Sequence, residues 1–583
     1  MKTNLTPRIP IQTDFGYITI NDELGQRGHN AIFGHVLTNP YQIVKILRRI
    51  VLMLLCIGVG SYFAQAQKSI DKSKNADVFM SKKSNRKRGQ TINKFTKVED
   101  DKYEIELTSK DEYEYVTYDS ELNVVDTRTE KKPEPKKAKD YGKADWMKFY
   151  FGDRRYLLLG TTERDKKQNV FTIREIDEES EEVSQPEELG QLNGEDYYFI
   201  IENADLDYWI SDDESKLLIS YKLPEKRDND RVKYRRYRYM VFDRDLNLLW
   251  EKEVDFKHKN GRVSYGGNAR ISNDGHIFCY GTVDRGRGFK KDERFGVNLY
   301  HISEDDVQST RINGVELSGV TADIVNGEYT IFCTYGVRGF TFLWFGNPGG
   351  EIGFLSLRWG GDEDESPKVV KTPFGADHVS KNQPTKERKK WASREKKGKS
   401  VYVPRLVIDE VILQEDGSYL VLAQEQFIVV TTYKSGRTST KYYNLDIHVF
   451  GLNSDFGISW SSIIPCYQIM GTTVHSGYVY KQIGNKLYFV FNDNYRNLEK
   501  EWNTTKKPNR FSGGEHPTSM VVVDMDAPDE KQRRELLWKE KTVGGSFRPE
   551  LYHSPDDKNF GLVYIQGGKL KQSLLRIDFK AED

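Results

Sequence analysis

The stretch Ser272-Asn273-Asp274-Gly275-His276-Ile277-Phe278-Cys279-Tyr280 decides the fold: a polar turn runs straight into an apolar strand. The phrase recurs along the chain. Gly152-Asp153 precedes Tyr156-Leu157-Leu158-Leu159, and Asp212-Asp213 precedes Leu217-Leu218-Ile219-Ser220. Asn326-Gly327 precedes Tyr329-Thr330-Ile331-Phe332-Cys333, and Glu415-Asp416-Gly417 precedes Tyr419-Leu420-Val421-Leu422. Gly484-Asn485 leads into Leu487–Val490, and Asp556-Asp557 into Phe560–Tyr564. Gly, Asn and Asp suit such turns because they enter left-handed backbone at low cost. Hairpins repeated every ~50 to 90 residues point to a β-propeller or a related array.

A second phrase alternates with the first. Tyr115–Asp119 continues through Glu121-Leu122-Asn123 to Val124-Val125, and Tyr239–Asp243 through Asp245-Leu246-Asn247 to Leu248-Leu249-Trp250. Looser copies join His448–Phe450 to Ile458-Ser459-Trp460 and Val521–Asp524 to Leu536-Leu537-Trp538. The first phrase reads as the inner hairpin of a blade and the second as its outer hairpin. Counting inner hairpins predicts an all-β fold, a single propeller over 103–579 with seven blades. These fall at 144–190, 198–256, 265–314, 317–371, 404–466, 474–543 and 546–579. In that count 103–128 joins 546–579 to complete one blade and close the ring, which removes exposed edges. Eight blades, with 103–128 building more of its own blade, is the alternative count.

Composition agrees with strands: 12% of residues are aromatic, with 34 Tyr and 29 Phe, types that fit a pleated, half-buried surface. Lys and Arg together equal Asp and Glu at 88 each, so no net field draws the whole molecule to nucleic acid or membrane. Charge is local instead: basic at 128–143, acidic from Glu175 to Glu188, and basic again in the insert 372–403. Four cysteines give no paired framework. Cys279, Cys333 and Cys466 read as buried small hydrophobes. A Cys279–Cys333 bridge between adjacent blades is the alternative.

The N-terminus reads as an export signal. Lys45, Arg48 and Arg49 precede an apolar run from Ile50 to Phe63, followed by Ala64-Gln65-Ala66. A basic region, a short apolar core and an A-x-A exit define a secretory signal peptide, here cleaved before Gln67. Read as one span, 43–66 could instead be a single-pass anchor. Residues 1–42 are then a start placed too early or a cytosolic tail. Residues 67–102, with Lys82-Lys83-Ser84-Asn85-Arg86-Lys87-Arg88, are expected to be a disordered basic linker.

This signal, with its Ala-Gln-Ala-Gln exit, resembles those of exported proteins from Bacteroidota-type bacteria. The resemblance implies the periplasm or cell envelope of a Gram-negative bacterium. The last strand signal, Leu575–Phe579, ends almost where the chain does, which tilts the expectation to the periplasm.

No catalytic signature stands out. Gly-x-Ser-x-Gly, His-Glu-x-x-His, a Walker loop and a strand-linked Gly-x-Gly-x-x-Gly are all missing. Ser272-Asn273-Asp274-Gly275 approximates the start of a sialidase Asp-box, but its Gly is one residue early and the Thr-Trp is absent; it reads as a hairpin turn. Carboxylates at the starts of inner strands would line a propeller tunnel: Asp145, Asp205, Asp207, Asp323, Asp409, Glu410 and Glu550. A pair of them could serve glycosidase-type acid/base chemistry, though solvated or turn-bonded carboxylates are the plainer reading. Histidines occur singly, without ligand spacing, and no metal or cofactor is expected.

Two stretches are candidate binding surfaces. One is the aromatic run with Phe342, Trp344 and Phe345, sticky if exposed and ordinary core if buried. The other is the basic insert with Lys386, Arg388, Lys389, Lys390 and Trp391, suited to an anionic partner. Export argues against nucleic acid. The sequence therefore predicts a non-enzymatic scaffold or ligand-binding module with an envelope protein or glycan partner. A tunnel hydrolase acting on carbohydrate and a membrane-anchored envelope sensor are the alternatives. The oligomeric state is not fixed by the sequence.

Overall fold

In the computed structural model the described residues run from 68 to 580. Outside them lie 82–83, 86–89, 100–101, 111, 132–144, 164, 178–182, 195–197, 199–204, 230–231, 260–261, 266–268, 285–293, 316, 326, 338–349, 362–364, 382–384, 434–436, 499–507, 513–516, 529, 531, 544, 555–557 and 568–570. Strands dominate, and they form eight antiparallel sheets that follow one another along the chain.

Sheet 1 holds Thr91–Glu99, Lys102–Thr108, Glu112–Asp119 and Val124–Lys131, each strand pairing with the next. Sheet 2 begins at Asp145–Phe151 and ends at Glu187–Asn193, and sheet 3 runs from Asp207–Ile210 to Leu248–Lys259. Sheet 4 starts with the broken strand Arg262–Tyr265 and Arg270–Ile271 and ends at Val307–Asn313. Sheet 5 spans Ser318–Val325 to Lys368–Pro373, sheet 6 Leu406–Leu413 to Ile458–Ile464, and sheet 7 Tyr478–Ile483 to Arg534–Lys539. Two helices, α1 (Ala376–Val379) and α2 (Thr385–Lys396), occupy the insert between sheets 5 and 6.

Sheet 8 joins the first and the last of the described strands. Phe560–Gly567 pairs with Lys571–Phe579, which pairs with Ala76–Met80, which pairs with Lys68–Lys72. This corrects two expectations. The stretch 67–102 is not a bare linker, because it carries the strands Lys68–Lys72, Ala76–Met80, Ser84–Asn85 and Thr91–Glu99. And 103–128 does not complete the C-terminal sheet: with Thr91–Glu99 it builds a four-stranded sheet of its own. The sheet count is eight rather than seven.

Both sequence phrases form the turns expected of them. In the outer turn an Asp or Asn side chain accepts two backbone N–H groups. Asp119 Oδ1 takes Glu121 N at 2.9 Å and Asn123 N at 2.8 Å; Asp243 Oδ1 takes Asp245 N and Asn247 N, both at 2.9 Å. Asn453 Oδ1 repeats the pattern with Asp455 N and Gly457 N. The fourth turn residue is left-handed although it is not glycine: Leu122 at φ 64°, Leu246 at 62° and Phe456 at 61°. Leu122 and Phe456 bury their side chains, which offsets a backbone cost of about 1 kcal/mol. In the inner turns Gly275 (φ 86°) and Gly417 (φ 80°) take the left-handed position.

The core lies between sheets, not within one. Alternation along Arg154–Glu163 buries Tyr156 and Leu158, which pack with Leu217, Ile219 and Tyr221 of sheet 3. Separate buried clusters join sheets 3 and 4, 4 and 5, 5 and 6, 6 and 7, 7 and 8, and 8 and 1. The cluster between sheets 7 and 8 contains Trp538, Leu537, Val563 and Leu575 together with Ala76 and Val78 from the strand Ala76–Met80. Truncating a side chain as large as Trp538 there costs about 3–5 kcal/mol. Cys279 and Cys333 belong to different clusters and are unbridged, so the disulfide alternative fails. Burial pushes the Cys279 thiol up to about 12, which makes it inert.

Candidate functional site

The carboxylates expected to line a tunnel do not converge. Asp205 is exposed, at φ 45°, and pairs with Lys222 Nζ at 3.5 Å. Asp207 accepts from Tyr208 N at 2.9 Å, closing on its own strand. Asp323 of sheet 5 meets Arg270 Nε of sheet 4 at 3.5 Å. Glu550 sits in the short turn Pro549–Leu551 and pairs with Arg548. The side chain of Asp145 lies outside the described residues, as do Phe342, Trp344 and Phe345.

Asp409 is different. It stands on the first strand of sheet 6, where both carboxyl oxygens are held. Tyr478 Oη, from the first strand of sheet 7, donates to Oδ2 at 2.8 Å, and Gln426 Nε2 donates to Oδ1 at 3.0 Å. Burial of the carboxyl raises its pKa to about 7, against the lowering effect of those two bonds; the neighbouring Glu410 raises it further.

A polar seam continues from Asp409 into the interface between sheets 6 and 7. A bulge between Gln424 and Gln426 shifts the register, so that Gln424 faces Ile447 and Gln426 faces Asn444. Beside it a relay crosses the sheet. Glu425 Oε1 lies 3.3 Å from His448 Nε2, His448 Nδ1 lies 3.1 Å from His378 Nε2, and His378 Nδ1 lies 2.7 Å from Ser461 Oγ. One proton arrangement satisfies every link. The Glu425 carboxylate accepts from His448 Nε2–H, His448 Nδ1 accepts from His378 Nε2–H, and His378 Nδ1 accepts from the Ser461 hydroxyl. Burial holds His378 well below the usual histidine range, with His448 and Lys381 adding to the effect.

Asp446 sits beside this relay and accepts Cys466 N at 2.9 Å. Burial and the Glu425 charge push it up to about 7, partly countered by that amide, His448 and Arg534. Arg534 is itself buried. It pairs with buried Asp493 and donates to Pro465 O, while Asn497 Nδ2 donates to Asp493 Oδ1 at 2.7 Å. Desolvation pulls the Arg534 guanidinium below its ordinary value. The seam can therefore hold protons near neutrality on two carboxyls. Its polar groups join segments more than 60 residues apart in sequence into one rigid frame.

Sequence reasoning found Asp409 but missed Glu425, Asp446, His448, His378, Tyr478, Asp493 and Arg534. A signal was present: Gln424-Glu425-Gln426 interrupts an apolar strand, and Asp446 and His448 alternate on its partner. The single histidines also pair in space, His378 with His448 and, at the surface, His276 Nδ1 with His301 Nε2 at 3.0 Å. Among the described residues no group of three or more His, Cys, Asp and Glu is placed to hold a metal ion.

The basic insert is ordered as α2. Lys386, Arg388, Lys389 and Lys390 are exposed, while Trp391 packs onto the core between sheets 5 and 6. Its indole meets Tyr402 edge-on, with ring centroids 5.2 Å apart, and Arg394 lies over both rings. Glu395 Oε1 caps α1 by accepting Ala376 N at 2.8 Å. Among the described residues no helix is long and apolar enough to cross a membrane; 43–66 lie outside them.

No protein-family model and no curated protein matches the chain. Among solved structures, it is similar to the apo form of prolyl oligopeptidase B from Galerina marginata, at 10% identity and a TM-score of 0.33 over 86% of this chain and 56% of that one. It thus spans about half the length of that enzyme. The WD40 domain of SCAP from fission yeast overlaps 88% of this chain and 97% of its own, at 8% identity and a TM-score of 0.32. A Synechocystis apocarotenoid oxygenase mutant overlaps 62% and 72%, at 9% identity and 0.26.

Proposed function

We propose that the chain is an exported, non-enzymatic interaction scaffold of the bacterial cell envelope, built as an eight-bladed β-propeller. The eight sequential sheets and the clusters joining them support that architecture. So does the strand Ala76–Met80, which adds the first described segment to the last sheet and covers Leu575–Phe579. Export rests on the signal-like segment 43–66 and its A-x-A exit.

One observation carries the binding role: a cationic helix is fixed in place by its own aromatic residue. Trp391 and Arg394 fasten α2 to the body, and Lys386, Arg388, Lys389 and Lys390 point away from it. Only Lys390 among these four has a carboxylate partner within the helix, Glu387 at 3.0 Å. A fixed cationic surface recognises an anionic partner at low ordering cost. In the envelope, the chemistry that fits is a phosphorylated or acidic glycan. The test is binding of purified lipopolysaccharide to the mature protein at about 50 and 300 mM salt. Salt-sensitive binding abolished in K386E/R388E/K389E supports the role, and equal binding by that variant removes it. The mature N-terminus, read by mass spectrometry on the same material, decides cleavage at Gln67 against an anchor.

A tunnel hydrolase remains the second reading because of one residue. Asp409, raised to about 7, keeps its proton into the neutral range, as a general acid requires. Loss of a glycosidase activity in Asp409→Asn, with binding to lipopolysaccharide retained, would favour it.

A further inference from the structure

Sheet 6 is longer than its frame. Its second and third strands, Tyr419–Thr432 and Thr438–Leu452, pair from Tyr419 through Thr432, yet the first strand pairs only as far as Glu425. Beyond that point Phe427–Thr432 forms a projecting ribbon with Thr438–Tyr443, and among the described residues no strand covers its outer edge. Tyr433 N donates to Arg437 O, and Gln426 N donates outward to Arg405 O. Antiparallel alternation then turns the N–H and C=O of Ile428, Val430 and Thr432 to the open side.

The composition of this edge is unusual for an exposed strand. Gln426-Phe427-Ile428-Val429-Val430-Thr431-Thr432-Tyr433 has no charge, no Pro and no Gly. Val430 is 61% exposed, Tyr433 54% and Val429 36%. Soluble proteins protect long apolar edges with Lys, Pro or a bulge, and an unprotected one is a template for pairing. Of the nearby cations, Lys441 and Arg437 lie on the inner strand, opposite Val429 and next to the turn, while the Arg405 guanidinium lies over the Phe427 ring, 5.4 Å from its centroid, at the start of the edge.

We propose that Phe427–Tyr433 is a self-pairing edge through which two copies of this chain join antiparallel about a two-fold axis at Val430. Each copy then gives the N–H and C=O of Ile428, Val430 and Thr432 to its partner. Phe427 falls opposite Tyr433 and Val429 opposite Thr431, which are favourable cross-strand pairs. The neutrality of Ile428–Tyr433 selects a second copy over a charged partner, because no side chain in that stretch rewards an opposite charge. The Lys441 side chains of the two copies stay apart: three strand spacings, roughly 14 Å, separate them, beyond the screening length of about 8 Å at physiological salt. Closed two-fold pairing also uses up the edge, so it stops at a dimer. The inference is independent of what α2 binds.

Sedimentation of the mature protein from about 0.1 to 100 μM tests it, beside hydrogen exchange at both ends of that range. Dimerisation on the order of micromolar is expected from an edge this short. Amides of Ile428, Val430 and Thr432 gain protection at high concentration, while those of Val429 and Thr431, already bonded within the ribbon, do not change. Val430→Lys, which puts two like charges face to face on the axis, gives a monomer with the same melting temperature. Lys441→Ala leaves the dimer intact. A monomeric wild type at 100 μM overturns the proposal, and so does a dimer that survives Val430→Lys. Concentration-independent exchange at Val430 would also overturn it.

Discussion

Tyr478 Oη donates to Asp409 Oδ2 at 2.8 Å, tying the first strand of sheet 7 to the first strand of sheet 6. The bond favours the ionised carboxylate, yet burial outweighs it and leaves Asp409 at about 7. Its ordinary value is 3.8, so the folded protein binds this proton more tightly than the unfolded chain. Stability from this group is complete below about pH 4 and falls as pH rises through 7. Asp409→Asn removes the titration. Measured by urea unfolding, the variant should gain on the wild type between pH 5 and pH 8, by an amount on the order of 2–4 kcal/mol. A difference that does not change with pH would show that Asp409 titrates normally.

His378 works in the opposite direction. Its folded pKa lies well below the ordinary 6.5, so unfolding takes up a proton. The stability it contributes is present above pH 6.5 and is lost as pH falls below that value. Protonation would give both ring nitrogens hydrogens, and the bare Nδ1 that accepts Ser461 would become a donor. His378→Gln should melt with less acid sensitivity than the wild type between pH 7 and pH 5. It should also be less stable at pH 7.5, by about 1–3 kcal/mol, because Ser461 and His448 lose a buried partner. The groups facing His378 are His448, Lys381 and Ser461, so Ser461→Ala serves as the control that keeps the imidazole in place.

The turn phrases made the sheets legible because a hairpin turn is local. Asp119, Asp243 and Asn453 bond groups two and four residues ahead, and those spacings are visible in the sequence. Sheet count was harder. Ala76–Met80 buries only Ala76 and Val78, and its neighbours are polar and basic, so composition alone reads it as linker. A strand that meets the core on one side needs only one apolar face, and two residues are a weak signal. The relay was less legible still. His378 and His448 are 70 residues apart, and what unites them is the docking of α1 on a sheet and a bulge at Glu425.

Arg534 and Asp493 form a buried pair at the base of sheet 7. Exposure of 1% and 3% leaves neither charge to water. Such a pair adds little net stability when intact, but removing one partner strands the other. Arg534→Met should cost about 3–5 kcal/mol in chemical unfolding, and Asp493→Asn less, since Asn497 and the amide of Asn494 can still bond its oxygen. Arg534→Lys should not rescue, because one ammonium cannot reach both Asp493 and Pro465 O in the guanidinium's fork geometry. Full rescue by lysine would mean that charge alone matters there.

Sheet 8 unites the first and the last of the described strands. Val78 is fully buried among Leu575, Ile577 and the residues of sheet 7, and Asn75 N donates to Glu535 Oε2 at 3.1 Å. If Ala76–Met80 closes the array, its loss uncovers Leu575–Phe579 and opens the cluster around Trp538. Val78→Asp puts a carboxylate where no partner is available and should cost more than about 3 kcal/mol. Truncation to residue 84 should convert a monodisperse protein into one that aggregates through the exposed edge, read by light scattering at about 37 °C. A peptide of residues 68–81 added in trans should restore both the melt and the scattering, because the missing part is one two-stranded hairpin whose strand Ala76–Met80 has its own hydrogen-bonding slot. A truncated protein that melts with wild-type cooperativity would place the closure elsewhere.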